Sequence, residues 1–257
     1  MPLTDPELAI AAAEAGATVV RELFGTALDR IDKGPGDFAT AADVEAEAAI
    51  IEVIRAARPG DAVVAEESGV TPGTGDRTWL VDPLCGTINF AAQTMLVAVN
   101  VALRIGATTA VAAAADPFAG EVFWTGGDRA YVRRHDLDEK LAPTAGSRLV
   151  EVNLDPTFRA VGLLVDPDLG RRFRPRVLST TLPLAWVAAG RRAAYLTDGD
   201  RRDSVHFAAG IALCQAAGCV VTGIDGQPWH AAPGGLLVAA DDDTHATLLA
   251  AVRAHTR

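Results

Sequence analysis

Three acidic clusters recur along the chain. Asp43 and Glu47 are four residues apart, which puts both on one face of a helix. Glu66-Glu67 closes a short apolar run in AVVAEESG, and Asp82 closes another in TWLVDPLCGTINF. Carboxylates projecting from strand ends into one crevice supply the oxygen ligands that Mg²⁺ prefers, and leave water positions for a phosphate. Each cluster alone also reads as solvated turn residues. Their order, a helix acid, then EES, then DPLxGTxNF, is what joins them into one candidate centre.

The remaining reactive residue types are sparse. The cysteines are Cys85, Cys214 and Cys219. Such a small, odd number is no disulfide framework, and a reducing cytoplasm is the expected compartment. Cys214 and Cys219 read as core packing, and His230 and His245 as solvated turn residues. Arg171, Arg172, Arg174 and Arg176 form a basic run that reads first as a solvated face, with attraction of an anionic substrate as the alternative.

The elements that must position these residues follow from the apolar rhythm. A chain of 257 residues holds one large domain or two small ones, at about 150 residues per domain. Hydrophobic residues make up 49% and charged residues 22%, a balance that excludes wholesale disorder. A net charge of −10 argues against nucleic acid or an anionic membrane as partner. The N-terminus does not read as a signal peptide. The apolar stretch from Met95 to Ala115 is broken by Asn100, Arg104 and Gly106, so it reads as two buried strands rather than a membrane span. Richness in alanine, with lysine only at Lys33 and Lys140, suggests a GC-rich bacterial genome.

Asp5-Pro6 starts a helix expected to run to about Ile31. Gly34-Pro35-Gly36 breaks the chain, and Thr40 with Asp43 forms a capping box for a second helix reaching about Arg58. Short strands are expected at Val63-Val64, Trp79–Val81, Met95–Arg104, Thr108–Ala115, Glu121–Thr125 and Ala130–Arg133. His135 to Ser147 is the expected linker. Beyond it strands alternate with helices, an α/β pattern. Two halves are expected: 1–140, two helices and an antiparallel sheet carrying most of the acidic residues, and 147–257, an α/β half that completes the site.

The motifs TAADVEAE (Thr40–Glu47), AEES (Ala65–Ser68) and WLVDPLCGTINF (Trp79–Phe90), with SVHFAAG (Ser204–Gly210) more weakly, resemble those of the inositol monophosphatase superfamily of metal-dependent phosphomonoesterases. The resemblance implies a layered α/β/α/β/α sandwich. It implies Mg²⁺ ions that activate water for attack on a small phosphate monoester, such as a sugar, inositol or nucleotide phosphate. By the same resemblance Glu66, Asp82 and the Leu84 carbonyl are metal ligands. Asp43 and Thr87 orient and deprotonate the water, with Glu67 in the same catalytic group. Gly86 and Thr87 hold the phosphate, and Asp198 or Asp200 meets substrate hydroxyls, a solvated acidic loop being the other reading of that segment. A homodimer is expected by the same token.

Two positions depart from the family pattern. The motif DPLDGT has Cys85 for its second aspartate, and WDxAAG has Val205 for tryptophan and His206 for aspartate. Both replaced acids belong to one metal position, which Asp82 bridges. Three readings stay open. The second ion is lost; or Asp82, Cys85 and His206 hold Zn²⁺, with Mn²⁺ another possibility; or the site does other chemistry, with Cys85 as nucleophile or His206 as acid and base. A non-hydrolytic homologue in a specialised biosynthetic pathway is the alternative to the hydrolase. It would bind a phosphorylated ligand or catalyse another reaction through Cys85 and His206.

Overall fold

A computed structural model describes residues 2–27, 29–34, 37–154, 158–231 and 234–256. The chain divides into two compact units. One comprises Met1–Glu139 with Thr180–Leu182 and Val205–Leu213; the other comprises Lys140–Ser179, Pro183–Ser204 and Cys214–Arg257.

The first unit begins with helix α1 (Asp5–Leu23). Thr4 caps it, and Glu7 reaches back to Thr4 in a capping box. The helix stops short of the expected Ile31. Gly25 adopts a left-handed φ of +76°, and Arg30–Gly34 (β1) pairs antiparallel with Asp37–Thr40 (β2). Past Leu23 the apolar rhythm soon loses the core: Phe24 still packs on it, but Ile31 is 51% exposed, and Leu28 lies outside the described residues. The expected break at Pro35-Gly36 lies outside them too.

Helix α2 (Ala41–Ala57) starts on the Thr40–Asp43 capping box. It packs so close to α1 that a Cβ on Gly16 would lie 2.7 Å from Ile50 Cδ1. There follow β3 (Ala62–Ala65), β4 (Gly69–Thr71), β5 (Arg77–Cys85), the short α3 (Thr87–Ala91), β6 (Ala98–Ile105), β7 (Thr108–Asp116), β8 (Glu121–Thr125), β9 (Ala130–Arg134) and β10 (Leu137–Lys140). These strands form one sheet in the order β10-β9-β8-β7-β6-β5-β3-β4. It is antiparallel apart from β3 beside β5. The His135–Ser147 segment is thus only partly a linker. His135 and Asp136 take positive φ of 47° and 63° and turn the chain back into β10.

The alternation of side chains along a strand puts opposite faces of this sheet against different partners. Trp79, Val81, Val99 and Val101 join the core under α1 and α2. Leu80, Ala102 and Ala112 pack instead on Ala209 and Ala212 of helix α6 (Val205–Ala217).

The second unit carries β11 (Leu149–Asn153), a 3-10 turn, α4 (Pro167–Arg172), β12 (Arg174–Val177) and most of α5 (Leu182–Ala188). Then come β13 (Ala194–Thr197), the end of α6, β14 (Val220–Gly223), β15 (Leu236–Ala239) and α7 (Asp242–His255). Its sheet runs β12-β11-β13-β15-β14 around a core of Val150, Val152, Leu196, Leu237 and Leu248. Among the described residues, no helix is long and apolar enough to cross a membrane.

Candidate metal centre

The centre lies within the first unit. Asp82 is on β5, on the face of Leu80. The register of β5 with β6 slips between Asp82 and Cys85. That slip shifts the alternation by one, so Leu84 turns into the core under α1 and α2. Asp82 and Cys85, three residues apart, thereby share the face that meets the start of α6, where His206 is the second residue. Asp82, Cys85 and His206 bring one oxygen, one sulfur and one nitrogen within 4.8 Å of one another.

Asp82 is fully buried. Its Oδ2 lies 2.9 Å from His206 Nδ1 and accepts a bond from Asn100 Nδ2 at 3.2 Å. Its Oδ1 has no hydrogen-bond partner among the described residues. Asn100 also donates to Thr181 Oγ1 at 2.9 Å, and the Thr181 amide donates to Cys85 Sγ at 3.2 Å. Thr180 Oγ1 donates to the Cys85 carbonyl at 2.9 Å.

The electrostatics follow from these contacts. Burial opposes a charge on His206, but the Asp82 carboxylate outweighs it and holds the imidazolium far above its ordinary pKa. Burial likewise opposes the Asp82 charge, and the facing imidazolium reverses that and keeps the carboxyl low. Burial and the Asp82 charge push Glu66 up to about 8, against the pull of His206 and Lys33. The same burial and Asp82 charge push the Cys85 thiol up.

The EES turn is held from below. Glu47, buried on α2, accepts the amides of Glu67 at 2.7 Å and Ser68 at 2.8 Å. Lys33 on β1 reaches Glu66 at 3.1 Å and Glu67 at 2.6 Å. One turn N-terminal to Glu47, Asp43 Oδ2 accepts the Thr40 amide and hydroxyl, each at 2.7 Å. Thr87 Oγ1 donates to Asp43 Oδ1 at 2.8 Å and lies 3.2 Å from the Leu84 carbonyl. Burial raises the Asp43 carboxyl above its ordinary value despite these bonds. Gly86, at the turn into α3, has a φ of +111°, a conformation that favours glycine.

These contacts link Glu66, Glu67, Asp82, Cys85 and His206 in one network of ion pairs and hydrogen bonds, and Asp43, Leu84 and Thr87 in a hydrogen-bonded group. Asp198 and Asp200 belong to the second unit. There Asp198 Oδ2 accepts the Arg159 amide at 3.0 Å and its Nε at 2.9 Å, and Asp200 is clasped by Arg202 at 2.9 and 2.6 Å. Lys33, Asn100 and Thr181 were not expected at the centre. Asn100 carried a signal, as a polar residue inside an apolar strand; Thr181 carried none.

The donors fit divalent ions in two ways. Glu66, Asp82 and the Leu84 carbonyl are hard oxygen donors of the type Mg²⁺ prefers, and Asp82 Oδ1 has no hydrogen-bond partner among the described residues. Asp82, Cys85 and His206 are a mixed set.

The profile of the inositol monophosphatase family matches residues 4–257. An inositol-1-monophosphatase of Caulobacter vibrioides is 33% identical over 260 residues, covering 95% of this chain and 99% of its own. The Nus factor SuhB of Escherichia coli K12 is 34% identical over 231 residues, 85% of each chain. Among solved structures, extragenic suppressor protein suhB of Bartonella henselae superposes with a TM-score of 0.83 at 25% identity, over 94% of this chain and 95% of that one. The inositol monophosphatase of Anabaena sp. PCC 7120 gives 0.79 at 26% identity, over 97% and 95%. The mixed α/β fold is theirs, and the chain belongs to the inositol monophosphatase family.

Proposed function

We propose that the chain is a metal-dependent hydrolase of a small phosphate monoester, in the class of sugar, inositol or nucleotide phosphates. The observation that carries this reading is the Thr87 hydroxyl held 2.8 Å from the buried Asp43 carboxylate. Burial raises the Asp43 carboxyl above its ordinary value, which makes it a better proton acceptor, and the hydroxyl passes a water proton to it. Glu66, Asp82 and the Leu84 carbonyl would hold Mg²⁺. When bound, such an ion lowers the pKa of water and neutralises phosphate oxygens. Glu67, tied to Lys33 and to Glu47, keeps the EES turn in place. The Gly86 and Thr87 amides receive the phosphate.

The test is inorganic phosphate release from a panel of these esters with Mg²⁺ supplied. Asp43→Asn and Thr87→Ala should each lower kcat by ~10²–10⁴-fold, the range for a lost acid–base group. Native rates in both variants would reject the reading.

A second reading keeps the fold and gives up hydrolysis. Its support is that Lys33 and the His206 imidazolium already neutralise carboxylates an ion would need. A family relative named a Nus factor rather than a phosphatase agrees with it. Ligand binding by the native chain without release of phosphate would favour this reading over the first.

A further inference from the structure

The geometry points to a site for a borderline-soft divalent ion of the zinc class, built from Asp82, Cys85 and His206 and selecting that ion against magnesium. The inference rests on the proposed function for its setting in the same centre; the choice of ion stands on the donors alone.

A carboxylate, a thiolate and an imidazole are the three ligand types of four-coordinate zinc sites, and three protein ligands leave one position open. Donors around such an ion lie roughly 3.3–3.7 Å apart, so a set already within 4.8 Å closes by shifts of about an ångström. Thiolate and imidazole are poor ligands for Mg²⁺, which asks for a nearly octahedral shell of oxygens. Only one of these three donors is an oxygen.

Two further observations point to a ligand rather than to a closed ion pair. Asp82 Oδ1 is buried with no hydrogen-bond partner among the described residues, although its sister Oδ2 takes both His206 and Asn100. The sulfur is also held: the Thr181 amide is aimed at Cys85 Sγ, and Asn100 ties Thr181 to Asp82. Hydrogen bonds of this kind orient ligands. Two of the three donors are thus fixed by one Asn–Thr link across 81 residues of sequence.

The test uses the full chain after chelator treatment, titrated with Co²⁺ and then with Zn²⁺. One Co²⁺ per chain should bind and give a thiolate-to-cobalt charge-transfer absorbance. Zn²⁺ should abolish that band at equimolar concentration, while Mg²⁺ at hundredfold excess should leave it. Cys85→Ser should lose the band and weaken Zn²⁺ binding by at least ~100-fold, since losing mere outer contacts already costs up to that much. Cys219→Ser, on the second unit, should keep both.

Zinc-edge X-ray absorption of the native chain gives a readout independent of any variant's folding, with one sulfur neighbour at ~2.3 Å. Cobalt bound without the band, displacement by Mg²⁺, or a zinc shell without sulfur overturns the inference. Phosphate release with Mg²⁺ is measured on the same preparation. The band without hydrolysis rejects the phosphatase reading and leaves the zinc site standing; hydrolysis without the band does the reverse.

Discussion

Glu47 reaches no ion and no substrate in this account, yet its loss should disarm the centre. Its carboxylate receives the Glu67 and Ser68 amides at 2.7 and 2.8 Å while itself only 3% exposed. Hydrogen bonds to a charged group contribute ~1.5–3 kcal/mol each. The two share one carboxylate at a part-buried turn, so Glu47→Ala should weaken the turn by ~2–4 kcal/mol rather than by their full sum. At ~1.4 kcal/mol per tenfold, hydrogen exchange at the Glu67 and Ser68 amides should accelerate ~30- to 1,000-fold. Glu47→Gln keeps one accepting oxygen but turns an NH₂ toward an amide donor, so its effect should fall about midway. Phosphate release should drop in the same order, because Glu66 rides on the same turn. Unchanged exchange at both amides in Glu47→Ala would refute the claim that this carboxylate holds the turn.

Three other perturbations have defined outcomes. Gly16→Ala places a methyl 2.7 Å from Ile50 Cδ1 and 3.0 Å from Val99 Cγ1, and should cost ~1–3 kcal/mol in urea unfolding, as overpacked helix contacts do. Burial lowers the His245 pKa from 6.5, Arg253 adding to it against Asp242. The unfolded chain therefore binds the proton first, so the second unit should lose stability as pH falls below 6.5, and His245→Gln should remove that part of the slope. Asp5 is held low because Arg77 and Arg58 together outweigh its burial. It should stabilise the first unit above its unfolded pKa of about 4 and stop doing so as pH falls toward its folded one, with Asp5→Asn flattening the acid limb.

How much of this was legible in the sequence differs by residue. The Thr40–Asp43 capping box and the strand ends at Glu66 and Asp82 could be read because cap chemistry and the two-residue period are local. The hairpin at Arg30–Thr40 was missed because Ile31 continued a helical apolar rhythm that carries weight only where a core exists to receive it. The partnership of Cys85 with Asp82 depends on a register slip in β5, which a sequence does not display. His206 was placed by motif, yet its ion pair with Asp82 spans 124 residues and is purely tertiary. Lys33 reaches Glu66 and Glu67 only through the missed hairpin, so it could not have been foreseen.

The central claim is that the carboxylates at Glu66 and Asp82 make the chain a metal-dependent phosphomonoesterase. The most direct measurement is phosphate release by the native chain in metal-swept buffer and after return of Mg²⁺, Mn²⁺ or Zn²⁺, beside the Asp82→Asn variant and the double variant Cys85→Asp/His206→Asp. The account predicts release by the native chain that disappears on chelation, returns with an ion, and is absent from Asp82→Asn. Silence from the native chain with every ion, alongside release by the double variant, would contradict it and show hydrolysis given up at Cys85 and His206.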